Sequence, residues 1–230
     1  MPKPPVLFNR LGSTAQTTTS VLGASGTEAA STSYTAAEFG NGQSATGVNK
    51  YISFPATTAY TGNAGCIECW LAPSGWSLTN GLRSSGIGWS WSIFVDGSNY
   101  MDMIFNSTGF QLRMSSGGSQ GGMTGYAGHA DVDVSDGVMF HWAAVWNTTG
   151  IDGGSDTQRI YFNNGLVRSS TASLTAPVGS GTLYLGDYGN SLGNPFGGII
   201  DNFKIYNYDK IDFSDRFNER GGLNDQTLVL

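Results

Sequence analysis

Short runs of β-branched and aromatic residues recur along the chain, each bounded by Gly, Asn, Ser or Asp. This spacing, with little helical periodicity, is typical of antiparallel sandwiches and barrels. We predict strands at residues 6–8, 51–54, 66–71, 89–95, 100–105, 110–114, 140–146, 159–162, 166–169, 182–186 and 198–206. A short helix is predicted only at residues 209–220, with Ile211, Phe213 and Phe217 as its apolar contacts.

Two turn sequences predict that neighbouring strands form antiparallel hairpins. Asp96-Gly97-Ser98-Asn99 joins the runs at 89–95 and 100–105, and Asn163-Asn164-Gly165 joins those at 159–162 and 166–169. Asn and Gly supply the positive φ angles that tight hairpin turns require.

The composition predicts one domain with a segment at each end. Residues 1–33 are rich in Ser, Thr, Ala and Gly, and we expect this N-terminal arm to contribute little to the core. The domain spans residues 34–220, and residues 221–230 form a C-terminal tail. Within the domain, the Gly-rich stretch at 115–128 predicts a flexible loop.

Charge and hydropathy argue against two classes of partner. The net charge is −6, and the 11 Lys and Arg residues are scattered singly. Because nucleic-acid binding needs a basic stripe, we do not expect it here. No apolar run approaches the roughly 18 residues of a membrane helix, and the first residues lack the features of a secretory signal peptide.

Cys66 and Cys69 form a C-x-x-C motif within a predicted strand. An offset of three residues in a strand points the two side chains to opposite faces, so they can neither pair nor share a metal. We predict two buried free thiols and a fold that does not depend on disulfides.

Five sequence blocks follow one another in a characteristic order. They are Glu38-Phe39-Gly40 with Tyr51-Ile52-Ser53-Phe54-Pro55, then Cys66-Ile67-Glu68-Cys69-Trp70-Leu71-Ala72-Pro73, then Phe140-His141-Trp142-Ala143-Ala144-Val145-Trp146, then Arg159-Ile160-Tyr161-Phe162-Asn163-Asn164-Gly165-Leu166-Val167, and finally Leu183-Tyr184-Leu185-Gly186 with Phe196-Gly197-Gly198-Ile199-Ile200-Asp201-Asn202-Phe203-Lys204-Ile205-Tyr206-Asn207. Their order and spacing resemble the concanavalin A-like, laminin G-like jelly-roll superfamily, over residues 38–207.

This resemblance implies an all-β fold, an antiparallel two-sheet jelly-roll sandwich of about a dozen strands. Two positions depart from the family pattern. Phe140-His141-Trp142 stands where the family more often has Trp first, and Asn163-Asn164 replaces an acidic hairpin residue. The second departure weakens any inference of a metal near that hairpin.

The residues do not assemble a recognisable catalytic motif. Glucanases that share the fold use an E-x-D-x-x-E strand, and the chain's four glutamates are too far apart to form one. Two G-x-S-x-G matches, at 117–121 and 189–193, lack the flanking strand and helix of a nucleophile elbow. His129 and His141 have no adjacent nucleophile, so we expect structural roles for both. We therefore predict that the protein is not an enzyme, although Asp residues from different strands could still meet in space.

Calcium is the one cofactor that the sequence raises. Residues 131–137 resemble an EF-hand loop, but Gly137 falls one position late and Trp142 stands where a bidentate Glu belongs. Asp152 and Asp156 form another cluster of hard oxygen ligands. Since many laminin G-like domains bind calcium through loop Asp residues, the resemblance raises a structural Ca²⁺ at this pair, against the alternative of solvated acidic loops.

Aromatic residues in predicted loops are candidates for sugar contact, because lectins stack sugar faces on exposed rings. Trp70, Trp142 and Trp146 lie in strand patterns and are predicted to be core residues. The candidate ligand-binding residues are Trp76, Tyr126, Tyr188 and Asn190.

Two functions remain open from the sequence. The first is a non-catalytic structural or decoration subunit of a surface or virus particle, such as a phage, with neighbouring subunits as partners and a virion or extracellular location. Its assembly contacts are expected to be Val6, Leu7 and Phe8 in the arm and Leu228, Val229 and Leu230 in the tail, which are apolar triplets in polar surroundings. The alternative is a stand-alone lectin or adhesin that binds glycans, with or without calcium.

Overall fold

A computed structural model describes residues 3–47, 49–57, 60–74, 78–79, 82–83, 88–96, 98–106, 109–116, 119–123, 134–177, 179–188 and 195–221. The strands are β1 Leu7–Asn9, β2 Thr27–Glu28, β3 Tyr34–Ala37, β4 Gly40–Ala45, β5 Ile52–Ala56, β6 Ala64–Pro73, β7 Leu78–Thr79, β8 Leu82–Arg83, β9 Gly88–Asp96, β10 Asn99–Asn106, β11 Gly109–Ser116, β12 Ser119–Met123, β13 Phe140–Asn147, β14 Gln158–Phe162, β15 Gly165–Ser170, β16 Gly181–Leu185 and β17 Gly198–Tyr206. The helices are α1 Thr14–Thr18 and two 3-10 helices, Ile151–Gly153 and Ser214–Gly221.

Two antiparallel sheets form the sandwich. Sheet A has eight strands in the order β15-β14-β13-β6-β17-β4-β3, with β1 also paired to β17. Sheet B has seven strands in the order β12-β11-β10-β9-β16-β5-β2. A small hairpin of β7 and β8 completes the described strands. The predicted all-β, two-sheet jelly-roll sandwich is confirmed.

Period-two alternation along the strands builds the core between the sheets. Sheet B contributes Trp91 and Ile93 from β9, and sheet A contributes Trp142 and Trp146 from β13, all fully buried. The prediction that Trp142 and Trp146 are core residues is therefore confirmed. Trp70 is also buried, but it lies on the other face of sheet A, where its ring centroid is 5.1 Å from that of Phe217.

Sheet A is covered on both faces. A second apolar cluster on its outer face includes Cys66, Val145, Tyr161 and Phe213, and the chain after β17 supplies the covering layer. Cys69 instead belongs to the central core. The two cysteines are thus free, buried and on opposite faces of β6, as the strand spacing predicted.

The turn between β14 and β15 has its left-handed residues at Asn163 and Asn164, with φ of 49° and 75°, so the asparagines and not Gly165 supply the positive φ angles. The Asn164 side chain accepts a hydrogen bond from the Phe213 amide at 2.8 Å, which fixes the turn against the C-terminal layer. The other predicted hairpin, between β9 and β10, is also present, with Asp96 opposite Asn99.

The N-terminal arm is part of the sandwich, so the expectation that it contributes little to the core is wrong. β1 pairs with β17 in register Leu7 to Ile205, and Leu7 and Leu11 are fully buried. The Asn9 side chain donates hydrogen bonds to the carbonyls of Gln16 and Thr17, which holds α1 against β1. A few well-placed apolar residues and a side-chain amide offset the ordering cost that the Ser/Thr-rich composition implied.

This burial bears on the predicted assembly contacts. Leu7 is 0% and Phe8 4% exposed within the single chain, and Val6 packs partly against the same core. Because these side chains pack within their own chain, their burial does not require an external partner. Docking of Val6, Leu7 and Phe8 on a neighbouring subunit stays a prediction, while Leu228, Val229 and Leu230 lie outside the described residues.

The other differences concern polar strands and the C-terminal helix. The predicted flexible loop at 115–128 contains β12, which pairs with β11 through Ser116 and Ser119. Ser, Thr, Gly and Ala dominate β2, β3, β4 and β12, so these strands carry no hydrophobic alternation and are held by backbone pairing.

The helix predicted at 209–220 is a shorter 3-10 helix, Ser214–Gly221. No helix among the described residues has the length and apolar character needed to cross a membrane.

Candidate functional site

A row of polar side chains crosses the outer face of sheet B. The ladder register places Arg113 of β11 opposite Asp102 of β10, Asp102 opposite Ser92 of β9, and Ser92 opposite Tyr184 of β16. The flanking residues on each strand, such as Met101, point into the core, so strand alternation turns this row outward.

Asp102 and Arg113 form a bidentate ion pair at the centre of the row. Arg113 donates from Nε to Oδ1 at 2.8 Å and from Nη2 to Oδ2 at 2.5 Å. The Asp102 side chain is fully buried, whereas that of Arg113 is 16% exposed. Burial alone would lower the pKa of Arg113, but the hydrogen bonds and charge of Asp102 raise it, so the guanidinium is fixed as a cation.

Tyr188 lies beside this pair, at the start of the loop after β16. Burial is the main cause that raises the pKa of the Tyr188 phenol, and the Asp102 carboxylate raises it further. A hydrogen bond from Arg113 lowers the same pKa but does not outweigh them. The Tyr188 amide donates to Asp187 Oδ1 at 2.7 Å. Gly186, two residues before Tyr188, has φ +89°. A Cβ atom at this position would lie 2.7 Å from the Cβ atom of Ala45, so the turn requires glycine.

Further tyrosines border the row. The Arg113 guanidinium lies 5.8 Å from the Tyr100 ring centroid, and the rings of Tyr184 and Tyr51 meet edge to face at 5.5 Å. All four tyrosines are partly exposed. We call this surface the tyrosine face, defined as Tyr51, Tyr100, Asp102, Arg113, Tyr184, Asp187 and Tyr188.

A second polar cluster lies on the outer face of sheet A around Glu68, which is 1% exposed. Tyr206 donates a hydrogen bond to Glu68 Oε1 at 2.8 Å, Lys210 Nζ donates to Oε2 at 3.1 Å, and Lys204 Nζ lies 3.3 Å from Oε1. His141 Nε2 lies 3.5 Å from Glu68 Oε2. These partners join three strands and the C-terminal layer at one carboxylate.

Burial by itself would raise the pKa of Glu68. Lys204, the nearby His141 and Lys210 outweigh burial and hold the pKa of Glu68 well below its usual range. Burial lowers the pKa of His141, against the opposing influence of Glu68, so the imidazole is neutral at pH 7. The C-terminal layer covers these groups, and Lys210 links the Glu68 carboxylate to that layer. His141 is 1% exposed within the cluster, and its structural role stays a prediction.

Sequence comparison decides the family. The sequence model described as the concanavalin A-like lectin/glucanases superfamily matches residues 46–210. The chain belongs to this superfamily. The resemblance inferred from the order of the strand sequences is thereby confirmed. No curated protein matches the chain by sequence.

Solved structures with the superfamily's sandwich are similar in fold. Domain 4 of AbnA, a GH43 extracellular arabinanase from Geobacillus stearothermophilus, in complex with arabinotriose, has a TM-score of 0.58 at 13% identity, covering 88% of this chain and 92% of that chain. The ligand binding domain of botulinum neurotoxin serotype D, in complex with N-acetylneuraminic acid, has a TM-score of 0.63 at 12% identity, covering 94% of this chain and 50% of that one. The receptor binding domain of botulinum neurotoxin type G has a TM-score of 0.63 at 12% identity, covering 95% and 52%. The chain thus spans about half the length of the neurotoxin domains and most of the arabinanase domain, and at these identities the likeness shows the fold alone.

Of the candidate ligand-binding residues, the structure places Tyr188 on the tyrosine face. Trp76, Tyr126 and Asn190 lie outside the described residues. The other members of the face were not singled out from the sequence. The sequence could have predicted the Asp102–Arg113 pair, because pairing the predicted strands 100–105 and 110–114 as a short hairpin places these two residues opposite each other.

The candidate calcium ligands Asp152 and Asp156 lie in and just after the 3-10 helix Ile151–Gly153, and calcium binding there stays a prediction. Asp156 is engaged by Arg159, whose Nε donates to Oδ2 at 2.8 Å, while Asp152 is exposed. The Asp152 amide donates to Asp209 Oδ2 at 3.0 Å, so the loop is fixed by protein contacts. Across the described ranges, no group of three or more His, Cys, Asp and Glu side chains is arranged to hold a metal ion.

Proposed function

We propose that the chain is a non-catalytic carbohydrate-binding domain and that the tyrosine face is its sugar-binding surface. The observation that carries this proposal is the set of partly exposed tyrosine rings around the buried Asp102–Arg113 pair. Ligand sites in proteins typically combine aromatic surface with a few well-placed polar groups. A sugar presents an apolar C–H face together with hydroxyl groups, which suits both components.

The polar groups of this face are held in place before any ligand binds. Bidentate pairing with Asp102 fixes the position of the Arg113 guanidinium. Strand positions hold Tyr100 and Tyr184, and the turn at Gly186 positions Tyr188. Such preorganisation lowers the entropic cost of binding.

Two structural neighbours support the same class of ligand. The arabinanase domain is in complex with arabinotriose, and a neurotoxin domain is in complex with N-acetylneuraminic acid. Both ligands are saccharides, and both are in complex with proteins that contain this sandwich.

Non-catalytic binding is also consistent with the chemistry of the face. Both carboxylate oxygens of Asp102 accept hydrogen bonds from Arg113, so this group is not arranged as an acid or base. The assembly contacts expected for a particle subunit include Val6, Leu7 and Phe8, and pairing of β1 with β17 gives Leu7 and Phe8 an internal role. We therefore favour carbohydrate binding over that role.

The proposal is tested by applying the protein to a glycan array and measuring the affinity of the strongest ligand by calorimetry. Tyr188→Ala and Tyr184→Ala are expected to weaken binding about tenfold each, the effect of losing a principal contact. Tyr208→Ala is the matched control, because Tyr208 is a partly exposed tyrosine on the sheet A side. Melting temperatures would verify that each variant folds.

Three results would contradict the proposal. Absence of binding across the array would reject carbohydrate recognition. Equal losses in Tyr188→Ala and Tyr208→Ala would reject the tyrosine face as the site. Shorter products released from a bound oligosaccharide, and lost on substitution of one Asp, would reject the non-catalytic role.

A further inference from the structure

Three tyrosines of the tyrosine face lie along one diagonal of sheet B. Tyr100 of β10 is opposite Phe94 of β9, and the same row continues to Thr182 of β16. Tyr184 lies two residues further along β16, and Tyr51 comes immediately before β5, the next strand of the sheet. The diagonal from Tyr100 through Tyr184 to Tyr51 therefore crosses four neighbouring strands.

The two ends of this diagonal are well separated. Two strand spacings and two residues lie between Tyr100 and Tyr184, which places their Cα atoms about 12 Å apart. The Tyr100 ring lies 5.8 Å from the guanidinium of Arg113, a residue of β11, whereas the Tyr184 ring meets that of Tyr51 at 5.5 Å. These contacts lie on opposite sides of β9 and β16. Since a sugar ring is about as wide as one phenol ring, a single sugar cannot rest on both ends.

Tyr188 supplies a third ring between the two ends. Ser92 of β9 donates a hydrogen bond to the Asp187 carbonyl at 3.4 Å, so the chain after β16 crosses the outer face above β9. From there the partly exposed Tyr188 side chain comes close to Asp102 and Tyr100 of β10. The rings therefore follow one another as Tyr100, Tyr188 and the edge-to-face pair of Tyr184 and Tyr51.

From this spacing we propose that the tyrosine face binds a linear oligosaccharide of at least three units, with successive sugars on Tyr100, Tyr188 and the Tyr51–Tyr184 pair. The inference rests on the proposed function and adds the class of ligand, which is a segment of a sugar chain rather than one terminal sugar. Each unit of such a chain presents an apolar C–H face to a ring, so each added contact buries further apolar surface.

The wild-type protein tests this inference without any substitution. Calorimetry would measure its affinity for the one-unit to five-unit members of two linear series, the arabino-oligosaccharides and the cello-oligosaccharides, and of the best linear glycan on the array. We expect at least about a tenfold gain in affinity from the single sugar to the three-unit member of a bound series, the effect of adding a principal contact.

The possible results separate this inference from the proposed function. Equal affinity for a single sugar and its longer members, or binding confined to branched glycans, would overturn the inference and leave the proposed function standing. Absence of binding to every series and across the array would overturn the proposed function itself.

Substitutions at the two ends locate the contacts. Because the Tyr51–Tyr184 pair offers the wider aromatic surface, Tyr184→Ala should weaken binding at every length, whereas Tyr100→Ala should remove the gain between the two-unit and three-unit members. Tyr100→Phe keeps the ring and should keep the gain. Tyr208→Ala, on the sheet A side, should show the wild-type dependence on length.

Melting temperatures would verify that each variant folds. An unchanged gain in folded Tyr100→Ala would overturn the assignment of a sugar contact to Tyr100, and loss of the gain in Tyr208→Ala as well would overturn the assignment to this face. The wild-type series decides the required chain length even if Tyr100→Ala does not fold.

Discussion

Lys210 Nζ lies 3.1 Å from Glu68 Oε2, although 142 residues separate the two in sequence. Glu68 is in the central strand β6, and Lys210 belongs to the chain that covers the outer face of sheet A. Lys210 also contacts the Asp215 carboxylate at 3.0 Å, so its ammonium bridges the sheet and the covering layer. The Glu68–Lys210 pair therefore ties the second apolar cluster to the C-terminal layer through opposite charges.

Glu68→Gln should strongly destabilise the fold. The substitution leaves Lys204 and Lys210 without their shared buried carboxylate, and breaking such a buried pair costs about 3–5 kcal/mol in the free energy of unfolding. Equilibrium unfolding in urea would measure the change. Asp212→Asn is the control, because Asp212 is an exposed carboxylate in the same layer and its replacement should cost less than about 0.5 kcal/mol. Equal losses in the two variants would show that the cluster has no special role.

Stability should fall as the pH drops through the titration range of His141. The pKa of His141 is lowered by burial from its ordinary value of 6.5, so below pH 6.5 the unfolded chain takes up a proton that the folded chain does not. The slope can reach about 1.4 kcal/mol per pH unit while only the unfolded histidine is protonated. Glu68, whose pKa is also lowered, adds a second loss at more acid pH.

Urea midpoints measured between pH 8 and pH 4 would check this expectation. His141→Gln should flatten the curve just below pH 6.5 and leave the more acidic branch in place. A wild-type curve that rises on acidification, or an unchanged curve in the variant, would contradict the assignment to His141.

Both cysteines should resist thiol reagents in the folded protein. Burial raises the pKa of the Cys66 and Cys69 thiols, and the nearby charge of Glu68 raises them further, so neither forms the reactive thiolate at pH 8. A colorimetric thiol assay should detect almost no reaction in native buffer and two thiols per chain in guanidinium. Rapid reaction of one thiol in native buffer would show that one face of β6 opens to solvent.

Leu7→Ala tests the role of the N-terminal arm. Leu7 of β1 is fully buried in the core, so its truncation should lower the free energy of unfolding by about 2–5 kcal/mol. Leu166→Ala, at a side chain that is 51% exposed, should cost less than about 1 kcal/mol. An unchanged stability together with weaker self-association in Leu7→Ala would instead favour the predicted docking on a neighbouring subunit.

Sequence patterns predicted the strands whose side chains carry the core. Alternation around Trp142 and Trp146 locates β13, and the run ending at Tyr206 matches β17 residue for residue. β3 and β4 left no such pattern, because small and polar residues predominate in them and their stability comes from backbone pairing between residues such as Tyr34 and Gln43. Such strands can be identified only when the strand that pairs with them is known.

The contacts of the two polar clusters differ in how well the sequence alone could predict them. Asp102 and Arg113 are 11 residues apart on one hairpin, so hairpin register alone brings them together. Two of the partners of Glu68, Tyr206 and Lys210, are 138 and 142 residues away in sequence, and no local pattern links them to it. A single glutamate in an apolar strand indicates a buried charge, but its counter-charges depend on the topology of the whole sheet.

The C-terminal layer and the first described residues lie on the same side of the sandwich. It closes the outer face of sheet A, and the Tyr208 hydroxyl donates to the Lys3 carbonyl, so both ends of the described chain lie on that side. The tyrosine face lies across the sandwich on sheet B. Any attachment made near Lys3 or Gly221 would therefore lie on the opposite side of the sandwich from the tyrosine face.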